Sequence, residues 1–417
     1  MKIRATIILI LMGFASLISA EFLTVAEQSG FQKTSGYQDV IRFIHRLQSR
    51  YPDQIKIQYF ARTTEGRKIP MIILSDNGIS HAREVRIFNK PAILIMANIH
   101  AGEIEGKEST QMLAREILHN GRRDLIRNIT LLIIPIFNCD GNEKMSSRNR
   151  RDNGPELAGE RKNGQGYDLN RDFLKMESPE VTGLITRVFN KWDPVLFVDM
   201  HTTNGSYHQE PVTYVPNIAP EGDQSLTKYM WQKALPEIAR KLKDTYGYDS
   251  IPYGNFVQRD DPTKGWRNST SHGRFGTNYY GLRNRFSILN ENYAHADYKT
   301  RVLASFGFIR SILEYVNDNI REMDNLIRQA DINAIQKTRN SEFPFQFELT
   351  KTFDFVIKSY TFTKRKIRES ERNRYPKKWY GDYLVEKTDT KKDYPTFLLS
   401  SFIPKKTVQL LDGYILL

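Results

Sequence analysis

The chain has 417 residues, is 40% hydrophobic with a mean hydropathy of −0.53, and carries a net charge of +13 from 61 basic and 48 acidic side chains. That length accommodates one large domain of about 300 residues plus a smaller appendage. A single cysteine, Cys139, excludes both an intrachain disulfide framework and a cysteine-based structural metal site. The basic runs at Arg148–Arg151, Lys364–Arg368 and Arg372–Arg374 carry no nucleic-acid-binding motif; they imply solvated charge or loose affinity for a polyanion such as an anionic cell envelope, and no nucleic-acid partner.

In chain order, Lys2 and Arg4 precede the apolar Ile7-Ile8-Leu9-Ile10-Leu11-Met12, and the small pair Ser19-Ala20 closes the stretch. This is the pattern of a secretory signal peptide over residues 1–20, with an uncleaved membrane anchor as its rival, and it predicts a secreted or periplasmic protein. No other stretch approaches 18 consecutive apolar residues, so no transmembrane span is expected. Over residues 37–51, Val40, Ile41, Phe43, Ile44 and Leu47 share one face of an amphipathic helix. Residues 55–60 and 69–74 read as strands around a Glu65-Gly66 turn. Residues 92–96 and 131–136 are apolar apart from Pro135, as strands buried on both faces tend to be, and 108–119 between them reads as a helix. Strand, helix, strand with short links argues for an α/β sheet covered on both faces.

Residues 179–192 form a further predicted helix with Pro near its start. Residues 196–200 are the next strand, 226–246 are mostly helical, and 302–335 are a long helix punctuated near Asn317-Asp318. Beyond about Phe343 apolar and polar residues alternate, as in Thr352-Phe353-Asp354-Phe355-Val356-Ile357, which predicts β-structure, either a separate small domain or an appended sheet. The expected division is therefore 1–20, 21–335 and 343–417.

Three apolar runs end in side chains suited to metal or proton chemistry. The first leads into Asn98-Ile99-His100-Ala101-Gly102-Glu103, the second is Phe197-Val198-Asp199-Met200-His201, and the third is Ile288-Leu289-Asn290-Glu291. Catalytic zinc takes three protein ligands of the His/Glu type and leaves a fourth position to water. Two histidines, one glutamate and a spare glutamate as base meet that requirement. Glu105 and Glu108 compete with Glu103, but they stand where a helix begins and where acidic residues favour the dipole. Each motif alone also fits a hydrogen-bonding residue at a loop mouth, and Glu291 could instead pair with Arg283 or Arg301.

Between these runs lie Asn138-Cys139-Asp140-Gly141, the Arg-rich loop Ser147-Arg148-Asn149-Arg150-Arg151-Asp152, and Gly166-Tyr167-Asp168-Leu169-Asn170-Arg171-Asp172. In this order the set resembles the secreted zinc carboxypeptidases of the carboxypeptidase A-like superfamily, in particular their large bacterial branch. The resemblance covers roughly residues 22–330. It takes in Thr64-Glu65-Gly66-Arg67 and the segments 276–283 and 298–302 around Glu291; Cys139 stands where the family usually has proline.

The resemblance implies a mixed, mainly parallel central sheet covered by helices, with a small C-terminal β-rich appendage. It implies one Zn2+ per chain on His100, Glu103 and His201, with Glu291 as general base. Asn170 and Arg171 match the pair that holds a peptide's terminal carboxylate, a role suited to a guanidinium fork; a surface pairing of Arg171 with Asp168 or Asp172 is the alternative. Arg150 is the expected oxyanion stabiliser from its place after Asp140-Gly141, with Arg148 and Arg151 as rivals. Asp199 could orient a ligand imidazole. Arg274 would suit an acidic terminal side chain or belong to the surface, and Tyr279 and Tyr280 are candidate phenols near the substrate. In the related bacterial proteins the last region tends to continue, so a complete and an incomplete C-terminal region both stay open for residues 343–417. The expected activity is exported removal of C-terminal residues from peptides with a free C-terminus. A zinc amidase or deacylase on N-acyl amino acids or cell-wall peptides, and a non-catalytic binding protein, are the alternatives.

Overall fold

Runs such as Ala92–Ala97 offer no polar side chain to solvent, and the structure buries every residue of them. The structure is a computed structural model that describes residues 22–150, 152–268, 271–336, 342–377, 382–411 and 414–416; the proposed signal peptide and Arg151 lie outside the described residues. The strands are β1 (Ile55–Arg62), β2 (Lys68–Leu74), β3 (Ala92–Ala97), β4 (Thr130–Ile134), β5 (Leu196–Thr203), β6 (Val212–Pro216), β7 (Ser250–Pro252), β8 (Asn255–Phe256), β9 (Trp266–Arg267) and β10 (Phe286–Tyr293). All but β8 and β9 form one sheet in the order β1-β2-β4-β3-β5-β10-β6-β7. Its centre, β4-β3-β5-β10, is parallel throughout. The pairs β1/β2, β2/β4 and β10/β6 are antiparallel. The expected mixed, centrally parallel sheet is what the chain forms. Complete burial of β3, β4 and β5 requires cover on both faces.

Helix α1 (Tyr37–Arg50) buries Val40, Phe43, Ile44 and Leu47 of the face its periodicity predicts and leaves Ile41 half-buried at its edge. Helix α2 (Glu105–Leu118) begins three residues before the expected start, with Glu105 and Glu108 in its first turn. Residues 226–246 are helical through α3 (Leu235–Tyr246). Helix α4 (Tyr298–Gln336) runs without the expected break at Asn317. There the amide is an anchor: Asn317 Nδ2 donates to Leu125 O, and Asn317 Oδ1 accepts from Asn128 N at 3.0 Å. Among the described residues, no helix is long and apolar enough to cross a membrane.

The C-terminal region is a long antiparallel hairpin of β11 (Glu342–Lys366) and β12 (Tyr383–Leu411), with β13 (Tyr414–Leu416) beside β12. Of the two sequence readings, the structure draws an appended sheet: β12 pairs with β9, which pairs with β8, both from inside the larger region. Ile357 and Leu398 pack into the same core as the main sheet, and backbone bonds at 2.8 Å tie Lys358 to Gln209 and to the Glu210 carboxylate.

Helix α2 crosses the sheet at Gly106, where a Cβ would stand 2.7 Å from Met200 Cβ and 2.9 Å from Ala97 Cβ. Both neighbours are the stiff β-carbons of buried strands that carry the site. Gly106→Ala should therefore lower unfolding free energy by about 1–3 kcal/mol despite alanine's better helix propensity. Chemical denaturation checks this; an unchanged midpoint would show that the helix can lift without cost.

Candidate functional site

The chain leaves β3 on one side, through α2 to β4, and then returns to β5 on the other side of β3. Such a switch point opens a crevice at the carboxyl ends of parallel strands. Asn98 follows β3 with φ +65°, a left-handed turn that asparagine tolerates, and its Nδ2 donates to Ala101 O (3.3 Å) and Glu103 O (3.2 Å). The turn folds His100 and Glu103 back over the strand end. Pairing of Ala97 with Met200 and of His201 with Glu291 brings the third and fourth groups alongside.

His100, Glu103 and His201 are each only 3% exposed, and their ligand atoms lie within 4.8 Å of one another. The Nδ1 atoms of the two histidines face each other at 3.1 Å. His100 Nδ1 is 3.1 Å from Glu103 Oε1, and His201 Nδ1 is 2.9 Å from Glu103 Oε2. Each outward nitrogen meets a carboxylate: His100 Nε2 lies 3.0 Å from Asp168 Oδ1, and His201 Nε2 lies 3.0 Å from Asp199 Oδ2. Protons held at Nε2 turn both Nδ1 lone pairs inward. Two lone pairs and a carboxylate at such distances call for a cation among them. The electrostatics agree. Burial disfavours charge on His201, yet Asp199 and Glu103 raise its pKa well above the ordinary range. Burial likewise pushes Glu103 up, but His100, Arg150 and hydrogen bonds from both histidines hold it well below the usual carboxylate range. The site thus favours positive charge, and a metal ion that displaced the His201 proton would find two neutral imidazoles and a carboxylate, with further positions open toward a cleft, the donor set that catalytic zinc takes.

Behind this cradle Thr202 links the pieces. Its N–H donates to Glu103 Oε2 at 3.0 Å, its hydroxyl to Glu105 Oε2, and its carbonyl accepts from Arg150. Glu105, the sequence rival of Glu103, is instead sealed against the fully buried Arg301, with Nε to Oε1 at 2.6 Å. Glu108 accepts from Thr34 and Ser35, away from the histidines.

A cleft of about 270 Å³ opens over the cradle and is lined by Arg150, Arg161, Asn170, Arg171, Tyr253 and Glu291, among others. Glu291 is 9% exposed; burial and the nearby Glu103 push its carboxyl up to about 8 against the pull of His201. Neither expected ion-pair partner reaches it, since Arg301 holds Glu105 and Arg283 donates to Asn190 Oδ1 at 2.9 Å. Asn170 is fixed by Gly276 N, which donates to its Oδ1 at 2.9 Å. The Arg171 guanidinium lies 4.4 Å over the Phe275 ring; it reaches Asp168 only at 4.0 Å, because Asp168 is taken by His100 and Arg161.

Arg150 lies deeper than expected for an oxyanion group. Its three nitrogens donate to Asp152, Glu103 Oε1 (2.8 Å) and Thr202 O, and its side chain is 17% exposed. Arg161, which the sequence reading left unassigned, keeps 44% of its side chain exposed in the cleft, held by Asp168 at 2.9 Å and Glu103 at 3.3 Å. Tyr280 is fully buried with its hydroxyl on Pro194 O, and Tyr279 packs on Phe173, whereas Tyr253 lines the cleft. Arg274 lies 5.2 Å over the Phe275 ring.

A sequence model of the zinc carboxypeptidase family matches residues 40–259. The chain belongs to that family. It is similar to carboxypeptidase D of Drosophila melanogaster, 30% identical over 163 residues, which is 35% of this chain and 11% of that protein. It is also similar to the human carboxypeptidase N catalytic chain, 28% identical over 144 residues, covering 33% of this chain and 30% of that one. The match thus spans under a third of either relative's length. The fold is shared with a metallo-carboxypeptidase from Burkholderia cenocepacia at a TM-score of 0.52 and 16% identity, over 68% of this chain and 70% of that one. It is shared as well with thrombin-activatable fibrinolysis inhibitor, TM-score 0.51 and 12% identity, over 70% and 80%.

The Asn-x-Asp-Gly turn is structural. Asp140 accepts from Thr63, Glu65 N and Arg67, and so holds the Glu65-Gly66 hairpin. Gly141 lets the 160–162 segment pass, since a Cβ there would meet the carbonyls of Lys162 at 2.5 Å and Glu160 at 2.6 Å. That crossing places Arg161, and the dense arginines at 148–151 concealed it from a reading by composition.

Proposed function

We propose that this chain is an exported zinc metallocarboxypeptidase that hydrolyses the last peptide bond of peptides with a free C-terminus. The carrying observation is the juxtaposition in one cleft of a buried His2Glu cradle, the buried carboxyl of Glu291, and the Asn170–Arg171 pair. Held by His100, Glu103 and His201, zinc would supply Lewis acidity and a water whose pKa falls toward about 7. Asp168 and Asp199 fix the imidazole tautomers. Arg171 and Asn170 bind the terminal carboxylate, and stacking on Phe275 aims the guanidinium. With a divalent cation beside it to favour its ionised form, Glu291 would accept the proton of the attacking water and pass it to the departing amine. Arg161 is the better-placed donor to the oxygen that gains charge, and Arg150 positions Glu103 and Thr202. The signal-peptide pattern of residues 1–20 supports export, and the basic C-terminal runs support loose association with an anionic envelope.

The test is a pair of peptides differing only in a free or amidated C-terminus. Arg171→Ala should lower kcat/KM for the free acid by about 10- to 100-fold, the worth of hydrogen bonds to a charged group. Equal cleavage of both peptides by the unaltered protein would refute the exopeptidase reading. Protein that takes up no stoichiometric zinc, and gains no hydrolysis from it, would favour a non-catalytic binding role.

A further inference from the structure

Beside the cleft, and sharing Asn170, Phe275 and Leu289 with it, lies a smaller recess of about 30 Å³. Val215, Pro216 and Ile218 supply its apolar wall, and Asn268, Thr277 and Asn278 its polar wall. None of these nine residues carries a charge. Part of the polar wall is committed to the protein itself: Asn278 Oδ1 accepts from Ile218 N at 3.2 Å, and Asn278 Nδ2 donates to His272 O at 3.4 Å. Phe275 has two duties, carrying the Arg171 guanidinium at 4.4 Å and forming part of the recess.

A residue whose carboxylate sits on Asn170 and Arg171 therefore has its side chain next to this recess. The space suits about two water-sized groups. An ionised side chain entering it would lose water and meet no counter-charge. A large ring would have to displace buried walls such as Ile218, which is 5% exposed. Arg274, the sequence candidate for an acidic side chain, does not line the recess.

We infer that the recess receives the side chain of the departing residue and selects small, uncharged ones such as alanine and serine over charged or large aromatic ones. This rests on the carboxypeptidase reading of the same site. The test uses the zinc-loaded full chain and N-blocked peptides differing only in a last residue of Ala, Ser, Phe, Lys or Glu. The expected order puts Ala and Ser first in kcat/KM, Phe at least 10-fold lower, and Lys and Glu about 10²-fold lower. Lys, Glu or Phe equal to or above Ala would overturn the inference and leave the carboxypeptidase reading standing. Release from none of the peptides would overturn both. Ile218→Ala should raise the Phe/Ala ratio, and Thr277→Asp the Lys/Ala ratio, each at least 10-fold. If both variants cleave the Ala peptide with unchanged ratios, the recess does not hold the side chain.

Discussion

Glu291→Gln is expected to lower peptide hydrolysis by a factor on the order of 10² or more while bound zinc stays stoichiometric, the loss typical of a removed proton acceptor. The position favours a clean test. Glu291 enters the cleft from β10 in register with His201, but the three convergent donor atoms belong to His100, Glu103 and His201. Glutamine keeps the side chain's shape, so the cradle should not change. Stability should not fall either. In the metal-free protein, burial raises the carboxyl to about 8, whereas an unfolded glutamate ionises near 4.3. As pH rises between those values the unfolded chain loses a proton that the folded chain keeps, so this group progressively disfavours folding. Metal-free Glu291→Gln should accordingly melt at or above the parent at pH 7. Calorimetry, metal analysis and peptide kinetics on one preparation decide the matter. Full activity would place the base elsewhere, and lost zinc would make Glu291 a ligand. His100→Ala differs, losing metal and activity together.

Much of this site was legible because strand ends in a parallel sheet all point one way. Apolar runs ending in His100, His201 and Glu291 had to deliver those side chains to one edge once the runs paired, and a wholly apolar strand such as Ala92–Ala97 has few other places in a fold. Asp199 was legible for a similar reason, lying two residues before His201 on the same face of β5. What stayed hidden depends on which polar group neutralises which. Four arginines within residues 148–151 and 161 are alike in sequence; only the paths of Asp152, Asp168 and Thr202 leave one guanidinium saturated and another in the cleft. Asn317 shows the same limit. It looked like a helix breaker, but tertiary bonds to Leu125 and Asn128 override its modest helix propensity. The C-terminal hairpin was legible as β-structure, whereas its pairing with β9 could not be seen, since two-residue strands such as Trp266–Arg267 leave no periodicity to read.

The two arginines should separate in the kind of damage their loss causes. Arg161→Ala removes a half-exposed guanidinium from the cleft and leaves Glu103 held by both histidines, Thr202 N and Arg150. Its effect should fall on kcat, by about 10²–10³-fold, the scale of deleting one donor to a developing oxyanion, with zinc affinity nearly unchanged. Arg150→Ala removes a guanidinium that bridges Glu103, Asp152 and the Thr202 carbonyl. It also leaves the Asp152 carboxyl, already pushed up to about 6 by burial, without its cation. That damage should fall on zinc affinity, by about 10–100-fold as for other groups that orient metal ligands, and saturating zinc should restore much of the rate. Competition against a zinc chelator and steady-state kinetics at saturating zinc read the two effects apart. The opposite pattern, with Arg150→Ala crippling kcat at full zinc and Arg161→Ala close to the parent, would return the oxyanion role to Arg150. Arg161→Lys adds a further reading. A lysine keeps the charge but not the fork that Asp168 and Glu103 hold in place, so partial recovery would assign the role to charge, and none to geometry.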